Sequence, residues 1–567
     1  MNYGVAAGFP FSSEIADAPR WRKNCRIDII ECNGLESQNL LNRKRSCKIS
    51  IPTAANQMKS YLLGLDVGTG GTRAIILGKG DAIISSATRE HQPFVSPREG
   101  WAEQHPEDWW SAAAGAIRDC ITKADLGGQD IACVGLAGQM HGAVLLDDDD
   151  QVLRPAIIWC DQRTQQECDW LNHIVGHERL IQLTCNPALT NFTLTKLLWV
   201  RNHEPDIWQR FRSFLLPKDY VRLRMTGEHA TDVADASGTL MLDVARRRWS
   251  SELMAAVGLP EACLPRLFES EEICARVCDE GARATGLRAG TPVVGGAGDQ
   301  AGGAVGLGIV RPGDVSATIG TSGVVFAATD RPAMDLEGRV HTFCHATPEL
   351  WHVMGVTQAA GLSLRWFRDL LLGLPTHQKG YEELINEAAA TPAGADGLLW
   401  APYLMGERTP HLDPRARGAL VGLSASHTRG HVVRAILEGV AFSLKDTLTL
   451  FDQMKVPIRT VRLGGGGARS PLWCQIQADI YGHEAEIVDA EEGAAYGAAL
   501  LAGVANGVWS SVEEACECAV HIATRAQPRP AVVTAMRRQY QLYRALYPAL
   551  KSIFAKLTNN QSPEIPN

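Results

Sequence analysis

One pattern, written twice, limits what this chain can fold into. LDVGTGGTRAIIL begins at Leu65 and ATIGTSGVVFAAT at Ala317, and each reads apolar run, Gly-Thr-x-Gly, apolar run. Gly68 and Thr69 of the first copy correspond to Gly320 and Thr321 of the second, about 250 residues later. A glycine turn between two strands has little side-chain cover, so several N–H groups can point at one place, which suits a phosphate. Two such units predict two halves of related fold, each offering a phosphate-holding turn to a cleft between them. Gly-Thr-x-Gly alone is a common tetrapeptide, so the chemistry has to come from what surrounds it.

Asp66 is the first such neighbour. It interrupts an apolar run directly before the turn. A carboxylate beside a phosphate is repulsive unless a cation lies between them, so Asp66 points to magnesium held directly or through water. The competing reading of this stretch by itself is a Gly-rich hairpin with a solvated aspartate.

The rest of the chain alternates apolar runs with helical spacing, which indicates an α/β architecture. LLGLDVG, TRAIILG and AIISSATRE read as consecutive strands, and PEDWWSAAAGAIRDCITKA as a helix with Pro106 near its start. TPVVGGAGD and TVRLGGGGARS each end an apolar strand in a glycine turn. In RGHVVRAILEGVAFSLKDTLTLF the spacing assigns Val432, Val433, Ile436, Leu437, Val440 and Leu444 to the core. Trp109 and Trp110, at the start of their helix, read as core as well.

At 567 residues two or more domains are expected. A composition of 45% apolar and 21% charged residues is that of an ordinary globular protein. The net charge of −8 and the lack of a long basic run argue against a nucleic-acid partner. No apolar run approaches the roughly 20 residues of a membrane helix. Fifteen cysteines without a CxxC pair read as reduced thiols of a cytoplasmic protein. Residues 1–57 mix charges without periodicity and lack a secretory h-region, and Met58 precedes KSYLLGLD. They read as a mis-called extension or a disordered arm, the rival being a small docking segment.

GGAGDQAGGAVG at 295–306 admits two readings. Gly296, Gly298 and Ala301 fit a GxGxxA dinucleotide fingerprint, with Asp314 as a ribose-binding acid. Against it, no clear βαβ unit follows, and Asp299 inside the loop would repel a pyrophosphate. The other reading makes Asp299 the point of the loop, a base displayed between glycines that let a substrate hydroxyl approach. The P-loop, HRD/DFG and HExxH motifs are absent from the sequence.

Ten segments occur in order: DVGTGGTRA, WAEQHPEDWW, GLAGQMHGAVLLD, WCDQR, LLPKDYVRLRMTGE, DASGTLMLDV, GGAGDQAGGAVG, ATIGTSGVV, APYLMGERTPHLDP and GGGGARSPLWCQIQAD. Together they resemble the FGGY carbohydrate kinases over about residues 60–550, and within that family the xylulokinase group. The resemblance implies two actin-like domains on ribonuclease-H-like cores facing a central cleft, with ATP and Mg2+ as partners of a sugar. It implies a sugar-binding domain over 58–305, a nucleotide-binding domain over 306–556 and a tail over 557–567.

Residue by residue, Asp299 matches the family's catalytic base and Asp66 the aspartate near metal and transferred phosphate. Gly68, Thr69 and Gly70 match the first phosphate turn, Gly320 and Thr321 the second. Gly466, Gly467 and Ser470 match the stretch bordering the adenosine. Met140 and His141 fall where xylulokinases meet ketose hydroxyls, with Trp101 bordering the sugar. Gln300 departs from the pattern, since xylulokinases often carry Asn there and glycerol kinases Gln. The implied reaction is phosphorylation of the terminal hydroxyl of D-xylulose by a monomer or homodimer. Another ketopentose or a polyol is the alternative substrate, and an actin-like ATP switch the alternative class. Of the remaining polar residues, Asp161 and Arg163 read as either sugar-facing or an ion pair, Asp235 as a turn or cap residue, and Glu407 with Arg408 as a hinge salt bridge.

Overall fold

A computed structural model describes residues 61–78, 81–372, 380–489 and 493–559. The expectations for residues 1–57, and for the tail beyond Asn559, lie outside the described residues.

The apolar runs around the first glycine turn become strands β1 (Tyr61–Val67) and β2 (Gly71–Leu77), followed by β3 (Ile83–Glu90). These three form an antiparallel meander. Helix α1 (Pro106–Lys123) has proline at its first position, where a missing N–H costs nothing, and His105 accepts from the Glu107 N–H as its cap. Strand β4 (Ile131–Gly138) then returns parallel to β1. Helices α2 (Pro217–Thr226) and α3 (Val233–Ala236) precede β5 (Ile273–Arg276), β6 (Pro292–Val294) and the two-residue β7 (Ala297–Gly298). The sheet order is β5-β6-β4-β1-β2-β3, with β7 added on β4.

Helix α4 (Asp299–Gly306) carries the chain to a second sheet. There β8 (Asp314–Ile319), β9 (Gly323–Thr329), β10 (His341–Cys344) and β11 (Trp351–Thr357) form the antiparallel part. After α5 (Arg429–Gln453) comes β12 (Thr460–Gly464), parallel to β8. Helix α6 (Pro471–Tyr481), β13 (Ala485–Val488), α7 (Gly493–Ala505), β14 (Ile522–Ala526) and α8 (Pro530–Asn559) complete the chain.

The second sheet repeats the first. Its order is β10-β11-β9-β8-β12-β13-β14. In each sheet the strand before the glycine turn has an antiparallel partner after it and a parallel partner on its other side. A further parallel strand and an antiparallel edge strand follow in both. The repeated sequence pattern therefore marks the same position in two copies of one topology.

Both faces of the first sheet are covered. On one, Leu63, Leu65 and Val67 pack with Trp109 and Ile117 of α1, so Trp109 and Trp110 are core as expected. On the other, Leu62, Ile75 and Cys133 pack with Ala495, Ala499 and Leu500 of α7, a helix from the far end of the chain. Contact there is backbone to backbone. A Cβ on Gly135 would lie 1.8 Å from the Ala498 carbonyl oxygen, and one on Gly64 would lie 2.0 Å from that of Ala495. The second sheet is covered by α5, which buries Val433, Ile436, Leu437, Val440 and Leu444. Val432, assigned to the core from spacing, is half-buried at its rim.

Candidate active site

Register assembles the site. Asp66 on β1 pairs with Ala137 on β4, and Ala137 pairs with Ala297 on β7. All three strands are parallel and end together, and open α/β sheets bind their ligands outside such carboxyl ends. One residue beyond β7, Asp299 opens α4. Two carboxylates far apart in sequence thus meet at one sheet end. The GxGxxA reading of this loop is excluded by topology, because α4 leads to β8 in the other sheet rather than back to a parallel neighbour.

Each carboxylate raises the cost of the other. Burial lifts the Asp299 pKa to about 7, helped by the Asp66 charge and opposed by hydrogen bonds from Gln300. The Gln300 amide donates to Asp299 Oδ1 at 3.4 Å. Burial lifts Asp66 to about 6 against the pull of Arg73, its partner across the hairpin. Asp66 Oδ1 is buried without a hydrogen-bond partner. The Gly-rich hairpin exists, but its aspartate is only partly exposed, with Oδ1 buried. An orphaned hard oxygen facing a second carboxylate fits magnesium, which takes one or two carboxylates and completes its shell with water and phosphate.

The QMH segment lies against the Asp299 loop. Met140 is buried, and a Cβ on Gly298 would fall 2.7 Å from its Cγ, so residue 298 has to be glycine for the two loops to touch. His141 has φ of +68°, uncommon for a residue with a Cβ. Its carbonyl accepts from Lys196 Nζ at 2.8 Å and Thr193 Oγ1 at 3.2 Å. Its Nδ1 lies 2.7 Å from the Gly238 carbonyl and must therefore carry the proton. Burial and nearby Lys196 push the imidazole pKa down to about 3. The ring is neutral, and Nε2 is left as an acceptor for a hydroxyl.

The two glycine turns close differently, the first over three residues and the second over two. Gly68 N–H bonds to Gly71 O at 3.0 Å, and Gly320 N–H to Ser322 O at 2.9 Å. Neither Thr69 and Gly70 nor Thr321 and Ser322 donate an N–H to another described backbone carbonyl within these turns. From Asp299 and Gln300 a cleft of about 600 Å³ runs past Leu307, Phe326 and Gly466 to Arg469, Ile487 and Asp489. Gly466 lines it, whereas Gly467 packs on Ile319 and the Ser470 hydroxyl caps α6 through Trp473 N–H. Those two shape the wall. Arg469 lies in the GGGGARS segment but was given no role there, and the apolar pair Ile487–Val488 carried no motif.

Other assignments change. Trp101 packs edge-on against Trp199 at 5.3 Å, with the Arg163 guanidinium 3.7 Å from its ring centre, so that face is closed to a sugar. Asp161 and Arg163 form a buried ion pair at 2.7 Å, which Glu103 joins. Asp235 is not the cap of α3, since Asp232 accepts from the Asp235 N–H. The Asp235 carboxylate is fully buried 3.3 Å from Lys218 Nζ, which also bonds Asp219 and Asp232 at 2.6 Å. Arg222 of the same cluster holds the Gly295 carbonyl beneath the Asp299 loop. Glu407 is held by the Thr357 hydroxyl and the N–H groups of Gln358 and Arg408 rather than by a salt bridge. Burial raises its pKa to about 7.

Comparison with known proteins agrees with this geometry. The sequence pattern of the N-terminal domain of the FGGY family of carbohydrate kinases matches residues 61–306, and that of its C-terminal domain matches residues 315–506. A xylulose kinase of Bacillus subtilis (strain 168) is 38% identical over 493 residues, 87% of this chain and 98% of the relative. One of Escherichia coli (strain K12) is 42% identical over 453 residues, 80% of this chain and 91% of the relative. The crystal structure of a xylulose kinase from Rhodospirillum rubrum matches with a TM-score of 0.80 at 32% identity, covering 87% of this chain and 100% of that one. With its doubled sheet topology and two facing aspartates, the chain belongs to the FGGY family of carbohydrate kinases and has their two-domain, actin-like fold.

Proposed function

We propose that this carbohydrate kinase transfers the terminal phosphate of ATP to the terminal hydroxyl of D-xylulose, giving D-xylulose 5-phosphate and ADP. The observation that carries the reading is the packing of Met140 on Gly298, which sets the QMH loop beside Asp299. The relatives named xylulose kinases, at 38% and 42% identity over most of both chains, support the choice of sugar.

The chemistry follows from the groups present. An alcohol is a weak nucleophile at neutral pH, and a base hydrogen-bonded to it accepts its proton as the oxygen–phosphorus bond forms and the bond to ADP breaks. Asp299, with its pKa at about 7, suits that task. His141, neutral and accepting at Nε2, orients a ketose hydroxyl. The free N–H groups of the two glycine turns hold phosphate oxygens, and the cleft from Leu307 to Ile487 takes the adenosine. Asp66 would hold magnesium, directly or through water, and the ion would neutralise charge on the transferred phosphate. The fifteen cysteines of the sequence, scattered without a CxxC pair, support a reducing, cytoplasmic setting. Among the described residues no helix is long and apolar enough to cross a membrane.

The test is ADP release against a panel of ketoses and polyols, with Asp299→Ala in parallel. Release that depends on D-xylulose and collapses in the variant supports both substrate and base. A glycerol or other polyol preference would keep the family and overturn the sugar. Sugar-independent release would point to the ATP-switch class.

A further inference from the structure

The first glycine turn is held by a buried polar network that the reaction scheme above does not use. The Thr69 carbonyl accepts from Gln104 Nε2 at 2.8 Å, and His91 Nδ1 lies 3.4 Å from it. The Thr69 hydroxyl accepts from Trp159 Nε1 at 2.9 Å and donates to Gln139 Oε1 at 3.2 Å. Gln139 Nε2 in turn donates to Gln104 Oε1 at 3.1 Å and reaches the Gly68 carbonyl at 3.4 Å. Trp109 Nε1 closes the network onto Gln104 Oε1 at 3.2 Å.

Three features set this network apart from ordinary loop bonding. Gln139 is 1% exposed and Gln104 4%, and buried amides are tolerated only when satisfied. Here both oxygens of Thr69 and the carbonyl of Gly68 are gripped, which fixes the two peptide planes that aim the Thr69 and Gly70 N–H groups. The Thr69 hydroxyl, which the sequence suggests for a phosphate, is engaged inside the protein. Lastly, Gln139 is the residue directly before Met140 and His141, and its own N–H bonds Val67 O at 2.9 Å beside the turn. One side chain joins the sugar loop to the phosphate turn.

We propose that Gln139 and Trp159 are positioning residues that couple sugar binding at Met140–His141 to the geometry of the Gly68–Gly70 phosphate turn. This rests on the sugar-kinase reading above. Seating a sugar on the QMH loop fixes Gln139; Gln139 fixes Thr69; and the turn then presents its N–H groups to the nucleotide in one orientation. Trp159, 39% exposed, closes the same hydroxyl from the solvent side. A fully satisfied buried network transmits such a constraint because its members cannot move independently. Coupling of this kind is reciprocal, so each ligand tightens the other.

The experiment is titration calorimetry of the full-length protein with a non-hydrolysable ATP analogue and magnesium, with and without saturating D-xylulose. The parent is compared with Gln139→Leu and with Trp159→Phe, which keeps the ring and removes only the N–H. In the parent, sugar is expected to tighten analogue binding by about fivefold or more. In either variant the factor is expected to fall below about twofold, while sugar binding alone changes less. A merely structural role would weaken both ligands and leave their ratio intact. No coupling in the parent, or full coupling in both variants, overturns the proposal. If Gln139→Leu does not fold, Trp159→Phe decides. Should the parent turn over another ketose or a polyol instead of D-xylulose, the choice of sugar fails, and the same titration with that substrate still tests the relay.

Discussion

A carboxylate that takes a proton from an alcohol works best when its proton affinity lies near the working pH. Burial and the Asp66 charge bring Asp299 there, at about 7. Asp299→Asn keeps the shape and removes the base, so kcat is expected to fall by about 10²–10⁴. Steady-state rates under saturating sugar and ATP measure this, and a loss of less than tenfold would assign the proton to another group. Gly298→Ala tests position rather than proton affinity. Its Cβ would meet Met140 Cγ at 2.7 Å and Asp235 Oδ1 at 3.2 Å, displacing the sugar loop from the base. A displacement of about 1 Å costs on the order of 10² in rate, and the sugar KM should rise while calorimetric affinity for an ATP analogue holds. Asp66 and Asp299 stood out in the sequence because each interrupts an apolar or glycine-rich stretch whose chemistry is local, whereas Met140 and His141 were marked only by the family resemblance. The closed face of Trp101 and the grip of Gln139 on Thr69 were not legible, because their partners come from elsewhere in the chain and spacing carries no record of such contacts. The cap of α3 is local, but Asp232 and Asp235 are both residues that can cap a helix, and only the structure shows that Asp232 does so.

Elements meet in this molecule through small residues and buried carboxylates. Helix α7 lies on β1 and β4 with backbone in contact, and Gly135→Ala would place a methyl carbon 1.8 Å from the Ala498 carbonyl oxygen. Overpacking of this kind typically costs about 1–3 kcal/mol, and the loss is expected at the top of that range because carbonyls on a helix cannot step aside. Thermal and urea unfolding of the variant measures it. On α5, Asp446 is buried and accepts from Tyr540 of α8 at 2.6 Å, and burial raises its pKa to about 7 from an ordinary value near 4. The folded state thus binds this proton more tightly than the unfolded chain does. Between pH 4 and 7 the folded state holds more protons, and stability therefore falls as pH rises, by at most ~1.4 kcal/mol per pH unit for one such group. Asp446→Asn should flatten that slope in urea midpoints taken from pH 4.5 to 7.5. The long helices and glycine-turn strands were legible because period and turn chemistry are local. That α7 would cover the first sheet was not, since its even, small-residue surface favours no one partner.

For the molecule as a whole, the two matched sheets each bring a glycine turn to the proposed reaction, which needs a sugar and a nucleotide together. Every group assigned to the site lies between Asp66 and Asp489. A chain beginning at Met58 is accordingly expected to keep kcat/KM within about twofold of the full sequence. Side-by-side assays of the two chains check this, and a tenfold loss would assign the first 57 residues a part in catalysis. The sequence by itself determined the repeated strand–turn–strand unit, the α/β class and two aspartates set beside glycine turns, because hydrophobic period and turn chemistry act over a few neighbouring residues. The QMH loop was marked only by the family resemblance. Only the tertiary structure decided which strand ends stand side by side, which helix closes the first sheet, and that Gln104 and Gln139 hold the first glycine turn. Those outcomes depend on strand register and on contacts between residues up to several hundred positions apart, where small differences in packing, rather than local pattern, select one arrangement.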